Sequence, residues 1–217
     1  MIQIAAVRRA ARWLSPALAL ALGGCLIAPG DISFDEPTPR PMPSVTQSAQ
    51  PIDEDAFWAI IEDARARGQD DPDRMAAALD YWLYDANDNT ILAFQSQFVA
   101  ASTRLYTYRH GEAAELICGS MDGDTFTDWR SWVISLGRVT FDSVAANADN
   151  IADVRDLSAG CGMWFEPFAR AASDVWWQRH PAAGDFPALD PVADPSGTRI
   201  QGDKAIRAAL PKLATRV

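Results

Sequence analysis

The sequence predicts an all-α fold, an irregular multi-helix bundle that follows a disordered N-terminal tether. In several segments apolar residues recur at steps of three and four, which is the periodicity of amphipathic helices. The sequence shows no alternating apolar and polar run of the kind that forms a strand, and no internal repeat. The 217 residues include eight Trp and nine Phe, and 48% are hydrophobic, which is enough to build the core of one domain.

Two helices are predicted at the start of the domain, which we place at residues 52–217. The first starts after Asp53 and ends at Gly68. The second starts at Asp71-Pro72, because an acidic cap followed by Pro is typical of a first helical turn. A short connection makes an antiparallel hairpin of the pair. Their apolar stripes are Phe57, Trp58, Ile61 and Ala64 in the first helix, and Met75, Leu79, Trp82 and Leu83 in the second.

A long third helix is predicted after Asn87, and we expect it to be the central helix of the bundle. His110-Gly111 is predicted to end it, and a short helix then covers Glu112–Cys118 and stops at Gly119. The stripe of the long helix repeats with a period near 3.5. It consists of Ile91, Phe94, Phe98, Ala101 and Leu105.

The densest mixture of acidic and aromatic residues lies between Cys118 and Phe141. Thr125 and Asp128 have the spacing of a capping box, and Gly137 is a typical helix stop, so a helix is predicted over residues 125–136. Phe126, Trp129, Val133 and Leu136 form its stripe. Further elements are predicted at Arg138–Ala146, at Asn150–Ser158, at a turn over Gly160–Gly162, from Glu166 onward, and at Asp203–Leu210 with a stop near Pro211.

Residues 1–24 are predicted to be a secretory signal. Three arginines precede a short apolar run at Trp13–Leu22, which is too short to span a bilayer comfortably. Leu22–Cys25 resembles the lipobox of bacterial lipoproteins, so we predict that Cys25 is lipidated and becomes N-terminal. The residue directly after Cys25 is Leu26. An Asp at this position resembles an inner-membrane retention signal, so Leu26 favours the outer membrane if the host has one. A plain signal peptide, or a start codon assigned upstream of a cytosolic protein, is the alternative.

Residues 25–51 are predicted to be the lipidated Cys and a Pro-rich linker. Six Pro, with Ser, Thr and Gln between them, follow Cys25 in this stretch. An extended Pro-rich chain of this length could hold the domain up to roughly 80 Å from the lipid. A loop packed on the domain is the alternative. The lipid on Cys25 gives the protein a membrane partner and a location in the cell envelope, with the domain in the periplasm or outside.

The charge balance argues against a nucleic-acid partner. The chain has a net charge of −10, with two Lys against seventeen Arg, and no basic stripe is visible. Removal of residues 1–24 takes away three Arg and no acid, which changes −10 to −13.

Asp122, Asp124 and Asp128 stand at positions one, three and seven of a loop-like spacing and could converge on a divalent cation. A calcium loop also needs Gly at the sixth position and an acid at the twelfth, where this chain has Thr127 and Val133. The favoured interpretation is therefore that these acids cap and solvate a helix N-terminus. We predict no cofactor.

Cys118 and Cys161 are the thiols that remain after lipidation of Cys25. An even pair in an exported protein indicates a disulfide, and two buried free thiols are the alternative. Near the end of the chain, Trp176 and Trp177 are adjacent, so one of them should be exposed or meet another layer. With Arg179 they form a candidate contact patch for a partner or a glycan, with core packing as the alternative.

Four segments, Asp53–Glu62, Ile91–Phe94, Asp122–Gly137 and Pro211–Leu213, resemble the bacterial family catalogued as domain of unknown function 4240. The resemblance covers about residues 52–217. It implies a small, mainly helical domain and brings no established activity.

The predicted function is that of a lipid-anchored envelope protein whose helical domain acts by binding, with an envelope protein as a candidate partner. The alternative is an envelope enzyme, such as a metal-assisted hydrolase that uses Asp122, Asp124 and Asp128. Serine hydrolase elbows, phosphate-binding Gly loops and dinucleotide fingerprints are absent from the sequence.

Overall fold

The computed structural model describes residues 52–182, 186 and 194–217. Within these ranges the fold is all-α with no strand, as predicted. The predicted signal, Cys25, the Pro-rich linker and residues 183–185 and 187–193 lie outside the described residues. The α-helices are α1 (Glu54–Gly68), α2 (Pro72–Asp85), α3 (Asp88–Arg104), α4 (Tyr108–Cys118), α5 (Gly123–Ser135), α6 (Arg138–Ala146), α7 (Glu166–Arg179), α8 (Asp203–Ala209) and α9 (Pro211–Ala214).

The first three helices start where the sequence predicts, because each has a polar cap. The side chains of Asp53, Asp71 and Asn87 each accept a hydrogen bond from the backbone N–H three residues later, at 2.8–3.0 Å. These caps satisfy N–H groups that lack a partner in the first turn of a helix. The predicted range of α6 and the predicted start of α7 are also confirmed.

The predicted end of the long helix at His110-Gly111 is wrong, because α3 ends at Arg104 and His110-Gly111 lies inside α4. Thr107 starts α4 by capping it with its hydroxyl. The residues on either side of Thr107 exchange backbone hydrogen bonds of 3.0 Å with Ser196. A partner almost ninety residues away therefore holds the break between the two helices, and no local pattern reveals it.

The capping box at the start of α5 lies one turn earlier than predicted. Asp122 accepts a hydrogen bond from the backbone N–H of Thr125 at 2.8 Å, and the Thr125 hydroxyl accepts one from the N–H of Asp122 at 2.9 Å. Thr125 is therefore the third residue of the helix and not its cap. Asp128, the predicted partner in the box, lies inside the helix and is buried.

The helix predicted at residues 150–158 is also wrong, since the chain forms a 3-10 helix at Ala148–Asp153 and a 3-10 turn at Ser158–Gly160. Asp149 is buried, and its carboxylate accepts the backbone N–H groups of the second and third residues of α9 at 3.0 and 2.8 Å. The helix predicted from Asp203 to a stop near Pro211 is confirmed as α8, which ends at Ala209, and Pro211 also starts the further helix α9. The cap for α9 comes from a distant part of the chain.

Helix α5 lies at the centre of the described domain, so the prediction that the long helix α3 is central is wrong. Helix α5 packs against α1, α3, α4, α6 and α7, while α2 packs against α1 and α7. Its residues Ser131–Ser135 are all buried, which shows that every side of this segment meets other elements. Trp132 lies against Gly160 so closely that a Cβ there would be 2.3 Å from the indole. The absence of a side chain at Gly160 thus leaves room for the ring of Trp132.

A disulfide joins Cys118, the last residue of α4, to Cys161, just before α7. The two Cα atoms are 5.4 Å apart, and 43 positions separate the residues in sequence. The bond ties the end of α4 to the segment that leads into α7. Among the described residues, none of the helices combines the length and apolar character that a membrane span requires.

We expect the double substitution Cys118→Ser/Cys161→Ser to lower the free energy of unfolding by about 3–4 kcal/mol, because the disulfide restricts the unfolded chain. Urea unfolding of the variant and of the wild-type protein, each with and without reductant, measures this difference. Reductant should destabilise the wild-type protein only. Equal unfolding midpoints in all four samples would show that the bond contributes no stability.

Candidate functional site

The three acids considered as metal ligands occupy separate environments. Asp122 is exposed, and the backbone N–H and hydroxyl of Thr125 lower the pKa of its carboxyl as part of the helix cap. Asp124 is exposed in the first turn of α5, and Asp128 faces the interior. In the part of the chain that the structure describes, no group of three or more His, Cys, Asp or Glu side chains could hold a metal ion.

The predicted contact patch is divided by the structure. Trp176 packs inward, with its ring 4.4 Å from that of His180 and 5.7 Å from that of Phe186. Arg179 is mostly buried and donates hydrogen bonds to three backbone carbonyls at the end of α2. Its charge meets the negative end of that helix, so the role of Arg179 is structural. Trp177 is the member of the patch that faces solvent, with 43% of its surface exposed.

Two tyrosines of α2 extend the exposed aromatic surface. Tyr81 and Tyr84 are 63% and 58% exposed and lie on one face of α2, because they are three residues apart. The guanidinium of Arg179 lies 5.6 Å from the centre of the Tyr84 ring, which places the end of α7 beside the end of α2. We call Tyr81, Tyr84 and Trp177 the aromatic face.

The register of α2 and α7 supports this grouping. The pKa of Asp80 on α2 is raised, mainly by burial and secondly by the negative charge of Asp174 on α7. The two carboxyls therefore lie near each other. Tyr84 follows Asp80 by four residues, and Trp177 follows Asp174 by three, which places each ring on the same helix face as its acid. The sequence indicated Trp177 but not the two tyrosines, since only the packing of α2 against α7 brings them to one level.

A groove of about 480 Å³ lies between α3, α5 and α7. Arg130 of α5 lines it, and the guanidinium is stacked 4.6 Å from the ring centre of Tyr106 and 5.2 Å from that of Phe126. Apolar walls alternate with polar groups around it. Other residues that line it are Phe98, Val99, Ser102, Thr127, Ser131, Arg170, Ser173 and Phe186. None of these was singled out as a site residue by the sequence.

A comparison with family models matches residues 52–178 to a family described as protein of unknown function (DUF4240). The match covers more than half of the chain. The chain belongs to this family. The matched region extends from α1 to the penultimate residue of α7. The aromatic face and the groove between α3, α5 and α7 therefore lie almost wholly within the DUF4240 region, and α8 and α9 follow it. No curated protein and no solved structure matches the chain.

Two buried polar residues of α4 in the DUF4240 region hold other elements in place. Burial lowers the pKa of His110, and the neutral imidazole fits its contacts, 2.8 Å from the Thr107 hydroxyl and 2.9 Å from the carbonyl of Val144 on α6. Glu112 accepts the backbone N–H of Ile200 at 2.5 Å. These contacts join α4 to α6 and to the segment before α8. They explain the two groups without a catalytic role.

Asp128 connects α5 to the start of α7. One carboxylate oxygen accepts the backbone N–H of Phe165 at 3.2 Å, and the other has no hydrogen-bond partner among the described residues. Burial raises the pKa of Asp128 from 3.8 to about 6, the Phe165 N–H opposes this shift, and the charge of Glu166 adds to it. The native fold therefore disfavours the ionised carboxylate relative to the unfolded chain.

The sign of this shift predicts how stability depends on pH. Because the native pKa of Asp128 is the higher one, ionisation reduces stability as the pH rises from about 4 to 6, and the cost remains above 6. Asp128→Asn removes that ionisation. From pH 4 to 7 we expect the variant to gain about 1–3 kcal/mol relative to the wild-type protein.

Urea unfolding across this pH range measures the gain for Asp128→Asn. Asp124→Asn provides the control, since it removes an exposed carboxylate from the same helix. If the stability difference between Asp128→Asn and wild type does not change with pH, the carboxyl does not titrate in this window.

Proposed function

We propose that this protein is a lipid-anchored cell-envelope protein whose helical domain acts by binding another envelope protein. The anchor is supported by the sequence, in which arginines, a short apolar run and Leu22–Cys25 follow one another in the order of a lipoprotein signal. The Pro-rich stretch at residues 26–51 suits a spacer between the lipid and the domain. Both features precede the described residues.

The aromatic face is the observation that carries the binding function. Tyr81, Tyr84 and Trp177 are 63%, 58% and 43% exposed, although their rings could contribute to a core. Tyr and Trp are enriched among residues that dominate the energy of protein interfaces, because each buries a large rigid surface and offers one polar group. A partner that covers these rings would remove their apolar surface from water.

The hydrolase alternative receives no support from the geometry. It rested on convergence of Asp122, Asp124 and Asp128, whereas the first caps α5, the second faces solvent and the third binds a backbone N–H inside the domain. The aromatic face therefore supports binding as the main activity.

Lipidation is tested by Cys25→Ala. We expect the variant to lose incorporation of labelled fatty acid and to remain unprocessed, because Cys25 is the proposed acceptor. Globomycin should cause the wild-type precursor to accumulate. Cys118→Ser/Cys161→Ser serves as the control and should keep both labelling and processing. Unchanged labelling and processing of Cys25→Ala would contradict the anchor.

The aromatic face is tested by in-cell cross-linking, affinity capture and mass spectrometry. We expect wild type to capture one envelope protein, and the double variant Tyr84→Ala/Trp177→Ala to reduce its yield at least about tenfold, as removal of central aromatic contacts does. Val139→Ala is the control, since Val139 on α6 is 85% exposed and lies outside the aromatic face. Circular dichroism checks that each variant is folded. An identical capture by the double variant would exclude the aromatic face as the contact.

A further inference from the structure

We propose that the groove between α3, α5 and α7 binds an oxyanion, with the guanidinium of Arg130 as the cation that receives it. The ligand class is a small carboxylate or phosphate that also carries an apolar part. This site is independent of the aromatic face and of the lipid anchor.

Arg130 differs from its neighbours because it has no acidic partner among the described residues. Its guanidinium donates to the carbonyls of Phe126 and Ser102, at 3.4 and 3.3 Å, and to the hydroxyl of Thr127 at 2.9 Å, all of which are neutral. Arg170 of α7, which also lines the groove, pairs with two carboxylates of its own helix, at 3.3 and 3.1 Å. Among the described residues, the groove therefore presents one neutralised arginine and one without an acidic partner.

An uncompensated guanidinium at this depth favours an anion. Burial lowers the pKa of Arg130, which shows that the charged form loses hydration in this position. A guanidinium has five N–H donors, and three are used in the contacts to Phe126, Ser102 and Thr127. Two donors remain, which is the number that a carboxylate or phosphate accepts in a bidentate pair.

The rings around Arg130 fix the direction of these donors. Tyr106 and Phe126 stack on the guanidinium, with ring centres 4.6 and 5.2 Å from its central carbon. Stacking holds the plane of the group and leaves its edges for hydrogen bonds. A preorganised donor of this kind loses little entropy when an anion binds.

Other lining groups define what the rest of the ligand resembles. The hydroxyls of Ser131 and Ser173 donate to backbone carbonyls of their own helices, at 3.0 and 2.8 Å, so they offer oxygen lone pairs rather than hydrogens. Phe98, Val99 and Phe186 supply apolar walls. A volume of about 480 Å³ is within the range of small-molecule sites. The groove thus suits an aromatic or aliphatic group that carries the oxyanion.

A purely structural role for Arg130 is the competing explanation. The Ser102 carbonyl belongs to the last turn of α3, and its partial negative charge attracts a cation. This role requires Arg130 for stability and gives no selectivity for anions. The two explanations therefore differ in whether a negatively charged probe binds better than a neutral probe of the same shape.

The test uses the full-length protein in a non-ionic detergent and three probes, benzoate, phenyl phosphate and the neutral isostere benzamide. Saturation-transfer NMR titrations give the affinity of each at low and high salt. Ser173→Glu places a carboxylate in the groove wall formed by α7, and Ser173→Gln is its matched neutral control. Arg130→Gln removes the charge directly. Arg207→Gln makes the same change in net charge on α8, at a half-buried arginine that pairs with Asp203 and lies outside the groove.

We expect at least one anionic probe to bind about tenfold or more tightly than benzamide. Ser173→Glu and Arg130→Gln should each abolish this preference, whereas Ser173→Gln and Arg207→Gln should keep it. Tighter binding of benzoate would identify a carboxylate ligand, and tighter binding of phenyl phosphate a phosphate. Equal affinity of all three probes, or equal binding to Ser173→Glu and Ser173→Gln, would overturn the proposal even if Arg130→Gln fails to fold.

Discussion

The rest of the structure depends on the burial of α5. Its residues Ser131–Ser135 are all buried, so each neighbouring helix has to fit the rings of Trp129 and Trp132. Burial also favours hydrogen bonds within the protein for the polar groups of this segment. The hydroxyls of Ser131 and Ser135 form such bonds by donating to carbonyls of their own helix, at 3.0 and 2.7 Å. The arrangement of the other helices follows from this constraint.

Long-range bonds from side chains to backbone groups hold the outer elements to this centre. Asp128 binds the start of α7, Asp149 caps α9, Glu112 holds Ile200, and Arg179 receives the end of α2. In each case a charged group neutralises backbone dipoles or unpaired donors in a distant segment. These contacts account for the buried carboxylates of the described residues and give each of them a structural role. Arg130 differs because its hydrogen bonds are to neutral groups and it lines the groove between α3, α5 and α7.

The candidate sites could be predicted only in part. Trp177 was recognisable from sequence because two adjacent tryptophans cannot share one buried stripe. Tyr81 and Tyr84 were not, since their exposure depends on how α7 packs beside α2. The same limit applies to Arg130, because the absence of an acidic partner within the described part of the chain depends on how three helices pack and not on its neighbours in sequence. The spacing of Asp122, Asp124 and Asp128 suggested convergence, but on the helix they point to different surroundings.

The sequence by itself determined the fold class, the family, the caps of the first three helices and the ranges of α1 and α6. These features depend on residues within one or two turns of each other, so a linear pattern contains them. The tertiary structure decided which helix is central, where α3 ends and α4 begins, and that Pro211 starts a helix. Each of these depends on a partner distant in sequence, namely the helices packed around α5, Ser196 beside Thr107, and Asp149 at the start of α9. Contacts of that kind form only when the chain has folded.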